Sequence, residues 1–186
     1  TVLPIDSGSL MGVVPLGHLS PPAHTQPSDH VYLLLPGYRS LVSPATELRN
    51  PGDGTITRVS RMEYQEQGRR WMDWSITVEF CASRRVKLAH VTSLSEPILE
   101  AVGDGSGSCN SYGSGGSTYR YCSWATSIDV MAGDRLGTVG GNGTPDTSLD
   151  VYAIDDAGSN PPVVNPGVLN SETLRTTCAL DWFTED

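Results

Sequence analysis

The sequence predicts an all-β protein built from many short antiparallel strands. Apolar and polar residues alternate with a period of two in several segments, which is typical of half-buried strands. Twenty glycines and thirteen prolines among 186 residues indicate many turns and little helix. Because a single segment carries the signals of a helix, we expect a sandwich or a barrel with at most one or two short helices.

Several segments are predicted to be strands. The apolar run "HVYLLLP" at 30–36 is expected to be buried and to end at a Pro-Gly turn. After the turn predicted at "NPGDG", the segment "TITRVSRMEY" alternates as a half-buried strand. Strands at 71–82 and 84–91 are expected to form a hairpin through "CASRR". Further on, "YRYCSWATSIDV" predicts a strand, "AGDRLG" a turn, and residues 147–156 another strand.

The alternation also predicts which side chains share a face. Val86 and Leu88 are expected to point inward, and His90 continues the same face. His90 is therefore either a hydrogen-bonded core histidine or a site residue. Ser148 and Asp150 share a face of their strand. A buried carboxylate is costly without a partner, so Asp150 needs a cation, a metal ion or backbone N–H groups.

The segment "SLSEPILEAVG" at 93–103 is the one predicted helix. Ser95 is a candidate N-cap, a proline follows in the first turn, and Gly103 suits the end of the helix. The next stretch is rich in glycine and serine and has the composition of a loop. No repeat of solenoid length is evident. Residues 1–186 are therefore predicted to form a single domain with a Gly/Ser-rich loop insertion at about 103–120.

The charge and hydropathy of the chain argue against some partners. The formal net charge is −9, whereas nucleic acids and anionic membrane surfaces are bound by basic faces. No apolar run reaches the roughly 18 residues that a membrane-spanning helix needs. The start, "TVLPIDSGSLMGVVPLG", lacks Met and a basic n-region, so it is not expected to be a signal peptide but the beginning of a processed or excised chain.

The four cysteines favour disulfides. Cys109 and Cys122 flank the flexible segment "NSYGSGGSTYRY", where a cross-link would restrict the unfolded chain. Cys81 and Cys178 are the remaining pair. Two disulfides indicate an extracytoplasmic, secreted protein, and four buried free thiols are the alternative.

Three of the four histidines lie in "GHLSPPAHTQPSDHVYLLLP", residues 17–36. The imidazole of His24 and the carboxylate of Asp29 suit zinc, which accepts both ligand types, although a solvated Pro-rich loop is the competing interpretation. His30 adjoins Asp29, and neighbours in an extended segment point to opposite faces. Both can therefore serve one site only if the backbone bends there. His18 is expected to be exposed and inert.

Several motifs, in the same order, resemble those of the lysostaphin-type zinc endopeptidases. The His-loop-Asp segment at a strand start is followed by "PGDGTITRV", "VKLAHVTSLS" and "AGDRLGTVGG", and then by a short strand. The likeness covers roughly residues 15–155, and "GDRLGTVGG" and "LAHVTSLS" are its most specific parts. The opening stretch is also similar to a divergent branch of this superfamily. The resemblance implies a β-barrel-sandwich hybrid fold, the duplicated hybrid motif.

The resemblance also implies roles for individual residues. His24 and Asp29 match the first two zinc ligands, with four residues between them where the family has three. His90 matches the catalytic histidine of the family's "Y-x-H-L" strand end, which orients or deprotonates a water molecule. Zinc is the implied cofactor.

The largest departure from the family lies at its H-L-H segment, which falls on Ser148-Leu149-Asp150. Asp150 takes the place of the third zinc ligand, and Ser148 replaces a catalytic histidine. The additional carboxylate makes another divalent cation acceptable. A serine hydroxyl does not shuttle protons near neutral pH as an imidazole does. His30 and Ser148 are possible additional site residues.

The predicted function is that of a secreted metallopeptidase-like domain with a remodelled metal site, acting on cell-wall peptides if it is an active hydrolase. The alternatives are a non-catalytic extracellular module that binds cell-wall peptide or glycan, and a structural subunit of a surface assembly. Aromatic residues that could stack on sugars in such a module are Trp71, Trp74, Tyr112, Tyr119, Tyr121 and Trp124.

Overall fold

A computed structural model describes residues 2–19, 25–38, 40, 43–66, 68–103, 107–114, 116–141, 148–158 and 165–183. Antiparallel strands make up most of these ranges, and the helical segments in them are short. The all-β class predicted from the sequence is therefore confirmed. The prediction of a single domain over the whole chain stays a prediction.

The strands follow the segments predicted from alternation, with a few short additions. In chain order, β1 to β11 cover Gly12–Val14, Val31–Leu34, Ala45–Arg49, Gly54–Glu66, Arg69–Cys81, Arg84–Leu94, Ser108–Ser114, Ser117–Val130, Arg135–Gly140, Ser148–Asp155 and Thr176–Thr177. The predicted hairpin of β5 and β6 is present, and so is the turn before β4.

The α-helix among the described residues, α1, covers Glu96–Val102 and confirms the predicted one. Ser95 occupies its N-cap position and Gly103 its C-cap position, and Ile98 and Val102 are buried one turn apart. In the described part of the chain, no helix is long and apolar enough to cross a membrane.

The strands form one antiparallel sheet with a branch. Its main path runs in the order β1-β2-β10-β6-β5-β4-β8-β7, while β11 pairs with β10. The branch consists of β9, which pairs with β6, and β3, which pairs with β9. Within the described ranges, β1 and β7 end the path at opposite edges, so the sheet is not closed.

The two faces of the sheet differ in character. One face carries the core, which includes fully buried Val59, Ile76 and Leu88 from three neighbouring strands. Trp74 and Trp124 also belong to this core. Each buried aliphatic side chain contributes about 1.5–3 kcal/mol relative to its exposed state. The other face is polar and leaves a groove open to solvent, and the site described below lies on it.

A β-bulge in β6 decides where His90 points. Trp74 and Ile76 of β5 pair with Val91 and Leu88, so β6 carries one more residue than β5 over this stretch. His90 adopts a left-handed backbone conformation there, with φ 63°. The prediction that His90 shares the inward face of Leu88 was wrong, because the bulge turns its side chain to the groove face.

The bulge coincides with a change of partner strand. Up to Ala89, which pairs with Asp150, β6 lies beside β10. From Val91, which pairs with Val139, it lies beside β9. His90 therefore stands at the branch point of the sheet, where regular alternation is interrupted.

The Gly/Ser-rich segment after α1 contains a strand where a loop was predicted. Strand β7 pairs with β8 along its length, and the predicted disulfide between Cys109 and Cys122 joins directly opposed residues of the two strands. Composition alone favoured a loop, but cross-strand pairing and the disulfide outweigh the weak β-propensity of glycine and serine.

The predicted disulfide between Cys81 and Cys178 is absent, since both residues are free thiols in the described structure. Cys81 ends β5, whereas Cys178 follows Thr177, which pairs with Ala153 of β10. β6 and β10 separate the two positions in the sheet. A disulfide requires Cα atoms within about 7 Å of each other, so this sheet order explains why the thiols do not pair.

Candidate functional site

Three carboxylates and two imidazoles alternate in a continuous network on the groove face. The order is Asp29, His30, Asp150, His90, Asp73, and each neighbouring pair is within 3.2 Å. We call these five residues the Asp-His network. They come from β10, β6, β5 and the bend that precedes β2.

Strand pairing brings the central residue of the network to its partners. Asp150 on β10 lies opposite Tyr32 of β2 on one side and Ala89 of β6 on the other. His30 lies two residues before Tyr32, and His90 directly follows Ala89. The side chain of Asp150 is 5 % exposed, so its charge depends on the two imidazoles for compensation.

His30 is held on both sides of its ring. Its Nδ1 donates to Asp29 Oδ1 at 2.9 Å, so the bend in the backbone lets two sequence neighbours serve one network. Its Nε2 lies 3.2 Å from Asp150 Oδ2, but without the direction of a hydrogen bond, and is buried with no hydrogen-bond partner among the described residues. Tyr32 and Tyr152 pack against the ring at centroid distances of 4.4 and 4.3 Å.

His90 is held in the same manner from the other side. Its Nδ1 donates to Asp73 Oδ2 at 2.9 Å, and its Nε2 lies 3.1 Å from Asp150 Oδ2. The hydroxyl of Tyr64 also donates to Asp73 Oδ2, at 3.2 Å. Both imidazoles therefore bond through Nδ1 to an outer carboxylate and place Nε2 within 3.2 Å of the same oxygen of Asp150.

Hydroxyl groups bind the second carboxylate oxygen of Asp150 and of Asp29. Ser148 Oγ donates to Asp150 Oδ1 at 3.2 Å, and both residues are buried. Thr173 Oγ1 donates to Asp29 Oδ2 at 2.7 Å from a segment near the end of the described chain. The network is thus connected to the start of β10 and to the segment between β10 and β11.

The charges in the network shift the pKa of its members. Burial alone lowers the pKa of both imidazoles, but the adjacent carboxylates outweigh it. Asp150 and Asp29 hold the pKa of His30 above its ordinary value, and Asp150 and Asp73 raise the pKa of His90 well above it. Burial favours the neutral form of Asp150, yet the two imidazoles hold the pKa of this carboxyl below its usual range.

The two tyrosines beside the network stay protonated. Burial, together with the negative charges of Asp150 and Asp29, raises the pKa of Tyr32 to about 12. The pKa of Tyr152 is raised further by the same causes. Both phenols are therefore hydrogen-bond donors, not bases, near neutral pH.

The structure brings several of the predicted site residues together. Asp29, Asp150, His90 and the possible addition His30 belong to the network. Ser148, the other possible addition, is hydrogen-bonded to Asp150. Asp29 is bonded to His30, a member of the network, and to Thr173, which lies outside it.

Two of the histidines stand apart from this arrangement. His24 lies outside the described residues, so its role stays a prediction. His18 is exposed, as the sequence suggested.

Sequence reasoning missed Asp73, Tyr64 and Thr173. Asp73 lies between Met72 and Trp74 on β5, and its alternation places it opposite the core face. A charged residue inside a strand is a usable signal, but its partner depends on the bulge in β6. Thr173 lies 144 residues from Asp29 along the chain, and no local pattern indicates that contact.

Two cavities meet at the network. The larger is a groove of about 590 Å³ on the polar face, lined by His90 and Asp73 among others. The smaller, of about 410 Å³, lies between the bend at Asp29 and His30 and the segment that carries Thr173. Tyr152 lines both cavities and therefore marks their junction.

Four aromatic residues form a row across β5, β4, β8 and β7 beyond the groove. Strand register places Tyr64 opposite Trp71 and Tyr119, and Tyr119 opposite Tyr112. Tyr64 stacks on Trp71 at 5.0 Å, and Tyr112 stacks on Tyr119 at 5.1 Å. In each stacked pair, one ring covers a face of the other. This stacking stabilises the paired strands but reduces the flat aromatic surface available to a sugar ring.

The inner atoms of the Asp-His network are His30 Nε2, His90 Nε2 and Asp150 Oδ2, and they lie in direct contact. Among the described residues, no group of three or more His, Cys, Asp or Glu side chains is already arranged to hold a metal ion. Two imidazole nitrogens and a carboxylate oxygen are nevertheless a set that zinc accepts. The Nε2 of His30 is buried and has no hydrogen-bond partner among the described residues, so it is a free donor atom of this set.

Comparison with known proteins gives no family for this chain. No family model matches it, and no curated protein matches it. The likeness to the lysostaphin-type endopeptidases therefore stays a resemblance of motifs. The roles of the network residues depend on their geometry and chemistry alone.

Proposed function

We propose that this protein is an extracytoplasmic, metal-dependent amide hydrolase in which His30, His90 and Asp150 hold one zinc ion. The observation that carries the proposal is the approach of two imidazole Nε2 atoms to the same carboxylate oxygen, at 3.2 and 3.1 Å. Zinc bonds of about 2.0–2.1 Å in a tetrahedron place ligand atoms roughly 3.3 Å apart. The two distances to Asp150 Oδ2 therefore match the separation of two ligand atoms on one zinc ion.

The outer carboxylates support the same proposal. Metal-binding histidines commonly donate their second ring N–H to a carboxylate, which fixes the tautomer and orients the ring. Asp29 and Asp73 accept such hydrogen bonds from His30 and His90 at 2.9 Å each. A purely structural ion-pair network does not require both imidazoles to present the same ring atom to one oxygen.

This assignment changes two roles implied by the resemblance. Asp29 becomes an outer carboxylate and His30 a ligand, because Asp29 is bonded to His30 and Thr173. His90 becomes a ligand instead of the residue that activates water. His24 stays a predicted ligand, and Asp150 keeps its predicted role.

The surrounding residues would orient an amide substrate. A bound zinc ion would supply polarisation of the amide carbonyl and a bound water with a lowered pKa. Asp29 and Asp73 keep the Nδ1 atoms of the two histidines protonated and their Nε2 atoms directed inward. Tyr152, protonated at the junction of the two cavities, is placed to donate a hydrogen bond to a substrate oxygen. The open groove admits an extended peptide.

The secreted location rests on the disulfide between Cys109 and Cys122, since such bonds persist in oxidising compartments. Cell-wall peptide is the substrate class that the motif resemblance favours. A groove open to solvent along a sheet face is compatible with a polymeric substrate of this kind. A non-catalytic module that binds wall peptide or glycan, and a structural subunit of a surface assembly, stay the alternatives.

The first test is the metal content of protein purified without chelator, measured by plasma mass spectrometry. We expect about one equivalent of zinc in the wild type and in His18→Gln, which changes an exposed histidine. His30→Gln and His90→Gln are expected to lose it while keeping the strand signal in circular dichroism. Wild-type protein that binds no divalent cation after dialysis against zinc would overturn the proposal.

A second measurement separates hydrolysis from binding. Purified peptidoglycan is incubated with the zinc-loaded protein, and newly released amino groups are counted. Release that stops in His90→Gln supports the hydrolase. Stoichiometric zinc with sedimentation on peptidoglycan, but no released amines, would instead favour the non-catalytic module.

A further inference from the structure

Arg58 and Lys87 are unpaired cations in the groove. Neither forms an ion pair with a carboxylate among the described residues, and both line the groove beside the Asp-His network. The ammonium of Lys87 lies 3.9 Å from the ring centre of Tyr152, so Tyr152 holds the Lys87 side chain over the groove. In a chain with net charge −9, two such cations on one face indicate a specific role.

The other charged groups of the groove already have partners. Arg85 pairs with Asp156 and, at 3.8 Å, with Glu172. Glu79 accepts a hydrogen bond from a neighbouring threonine. Asp73 accepts from His90. Glu79 keeps its negative charge, because its partner is a neutral hydroxyl. Among the charged residues that line the groove, Arg58 and Lys87 are therefore the two cations, and Glu79 the one carboxylate, without an oppositely charged side-chain partner in the described part of the chain.

Strand register places these two cations in one row, next to the site. Arg58 pairs with Thr77, and Thr77 pairs with Lys87. Lys87 in turn pairs with Tyr152, two residues beyond Asp150 on β10. Because a strand rises about 3.3–3.4 Å per residue, this row lies roughly 7 Å from the row of Asp150.

We propose that Arg58 and Lys87 form a subsite for a carboxylate on an acidic peptide. The hydroxyl of Thr77 lies between them in the row and adds a hydrogen-bond donor. A spacing of roughly 7 Å corresponds to about two residues of extended peptide, so the bound carboxylate belongs to a residue one or two positions from the amide beside Asp150. The cleavage of that amide depends on the proposed function, whereas the binding of the carboxylate does not.

The test measures binding without metal, so that no peptide is cleaved. The full chain is treated with EDTA and titrated calorimetrically, at low ionic strength, with acetyl-Ala-Ala-Glu-Ala-Ala-amide and with the same peptide carrying Gln for Glu. We expect the acidic peptide to bind about tenfold more tightly, because charge-assisted hydrogen bonds to guanidinium and ammonium groups are strong. Arg58→Gln/Lys87→Met is expected to reduce this preference to less than about twofold.

Arg69→Gln/Arg70→Gln is the matched control, since it removes the same charge at the exposed start of β5. It should retain the preference for the acidic peptide.

Equal binding of the two peptides to the wild type would overturn the subsite, and so would a preference that survives in Arg58→Gln/Lys87→Met. Equal loss in both double variants would show that net charge, not these two residues, sets the preference. Because zinc is removed throughout, these results do not depend on whether the metal site exists.

Discussion

His90 reaches Asp150 because strand β6 carries one residue more than its partner β5. The extra residue places His90 at φ 63° and brings its Nε2 to 3.1 Å from Asp150 Oδ2. Without the bulge, regular alternation would direct the imidazole into the apolar core. A local irregularity of the backbone therefore creates the contact on which the site depends.

The left-handed conformation of His90 predicts an unusual order of stability among its variants. A residue with a Cβ atom pays about 1–2 kcal/mol for this conformation, whereas glycine does not. We expect His90→Gly to be more stable than His90→Ala by about 1 kcal/mol, the reverse of the order in a regular strand. Urea denaturation of the two EDTA-treated variants measures the difference. Greater stability of the alanine variant would contradict the bulge.

Asp73 is expected to act on metal binding through His90. Asp73→Asn keeps the size of the side chain but weakens the acceptor for His90 Nδ1, and loss of such an outer carboxylate typically lowers metal affinity 10- to 100-fold. Competition with a chromogenic chelator measures the zinc affinity. An unchanged affinity would assign Asp73 a purely structural role.

Tyr64→Phe is the control for this effect. It removes one hydrogen bond to Asp73 but leaves the carboxylate and its contact with His90. We expect a smaller loss of zinc affinity than in Asp73→Asn. Thermal melting of both metal-free variants shows whether the difference comes from the site or from general destabilisation.

Regular alternation made most of the fold predictable. The hairpin of β5 and β6, strand β10 and helix α1 follow from periodicity and capping residues. Strand β7 was not predictable from composition, because its pairing with β8 and the disulfide supply what glycine and serine lack. The branch of the sheet at β6 was not predictable either, since it depends on long-range partners.

The candidate site was predictable only in part. Asp150 was recognised because a carboxylate in an apolar strand needs a partner. Extended alternation predicts that His30 and Asp29 point to opposite faces, and the bend that brings them together has no local sequence signal. Asp73 became a member of the network only through the bulge at His90, which turns that imidazole towards it.

The stability of the metal-free protein should be greatest in mildly acidic solution. The pKa values of His30 and His90 are raised in the folded protein, so their contribution is complete below their ordinary pKa of about 6.5 and is lost as the pH rises through the folded values. The pKa values of Asp29 and Asp150 are lowered, so their contribution is present above about 3.9 and is lost as the pH falls. Urea midpoints between pH 3 and pH 9, in EDTA, measure this dependence.

The histidine variants test why the stability of the metal-free protein decreases at alkaline pH. His90→Gln should flatten the decrease above about pH 6.5, because the group with the larger upward shift is absent. His18→Gln changes an exposed histidine and should leave the curve as in the wild type. A wild-type midpoint that rises steadily from pH 6 to pH 9 would contradict the ion-pair network.

The cysteines allow a test of two assignments: the disulfide between Cys109 and Cys122, and the free thiols of Cys81 and Cys178. Without reductant, the unfolded protein should react with two equivalents of a thiol reagent, from Cys81 and Cys178, while Cys109 and Cys122 stay bonded. Cys109→Ser/Cys122→Ser should lose about 2–4 kcal/mol of unfolding free energy, because the bond closes a loop in the unfolded chain. Cys81→Ser/Cys178→Ser is the matched control and should lose far less. If the unfolded wild type showed no reactive thiol, the assignment of Cys81 and Cys178 as free thiols would be wrong.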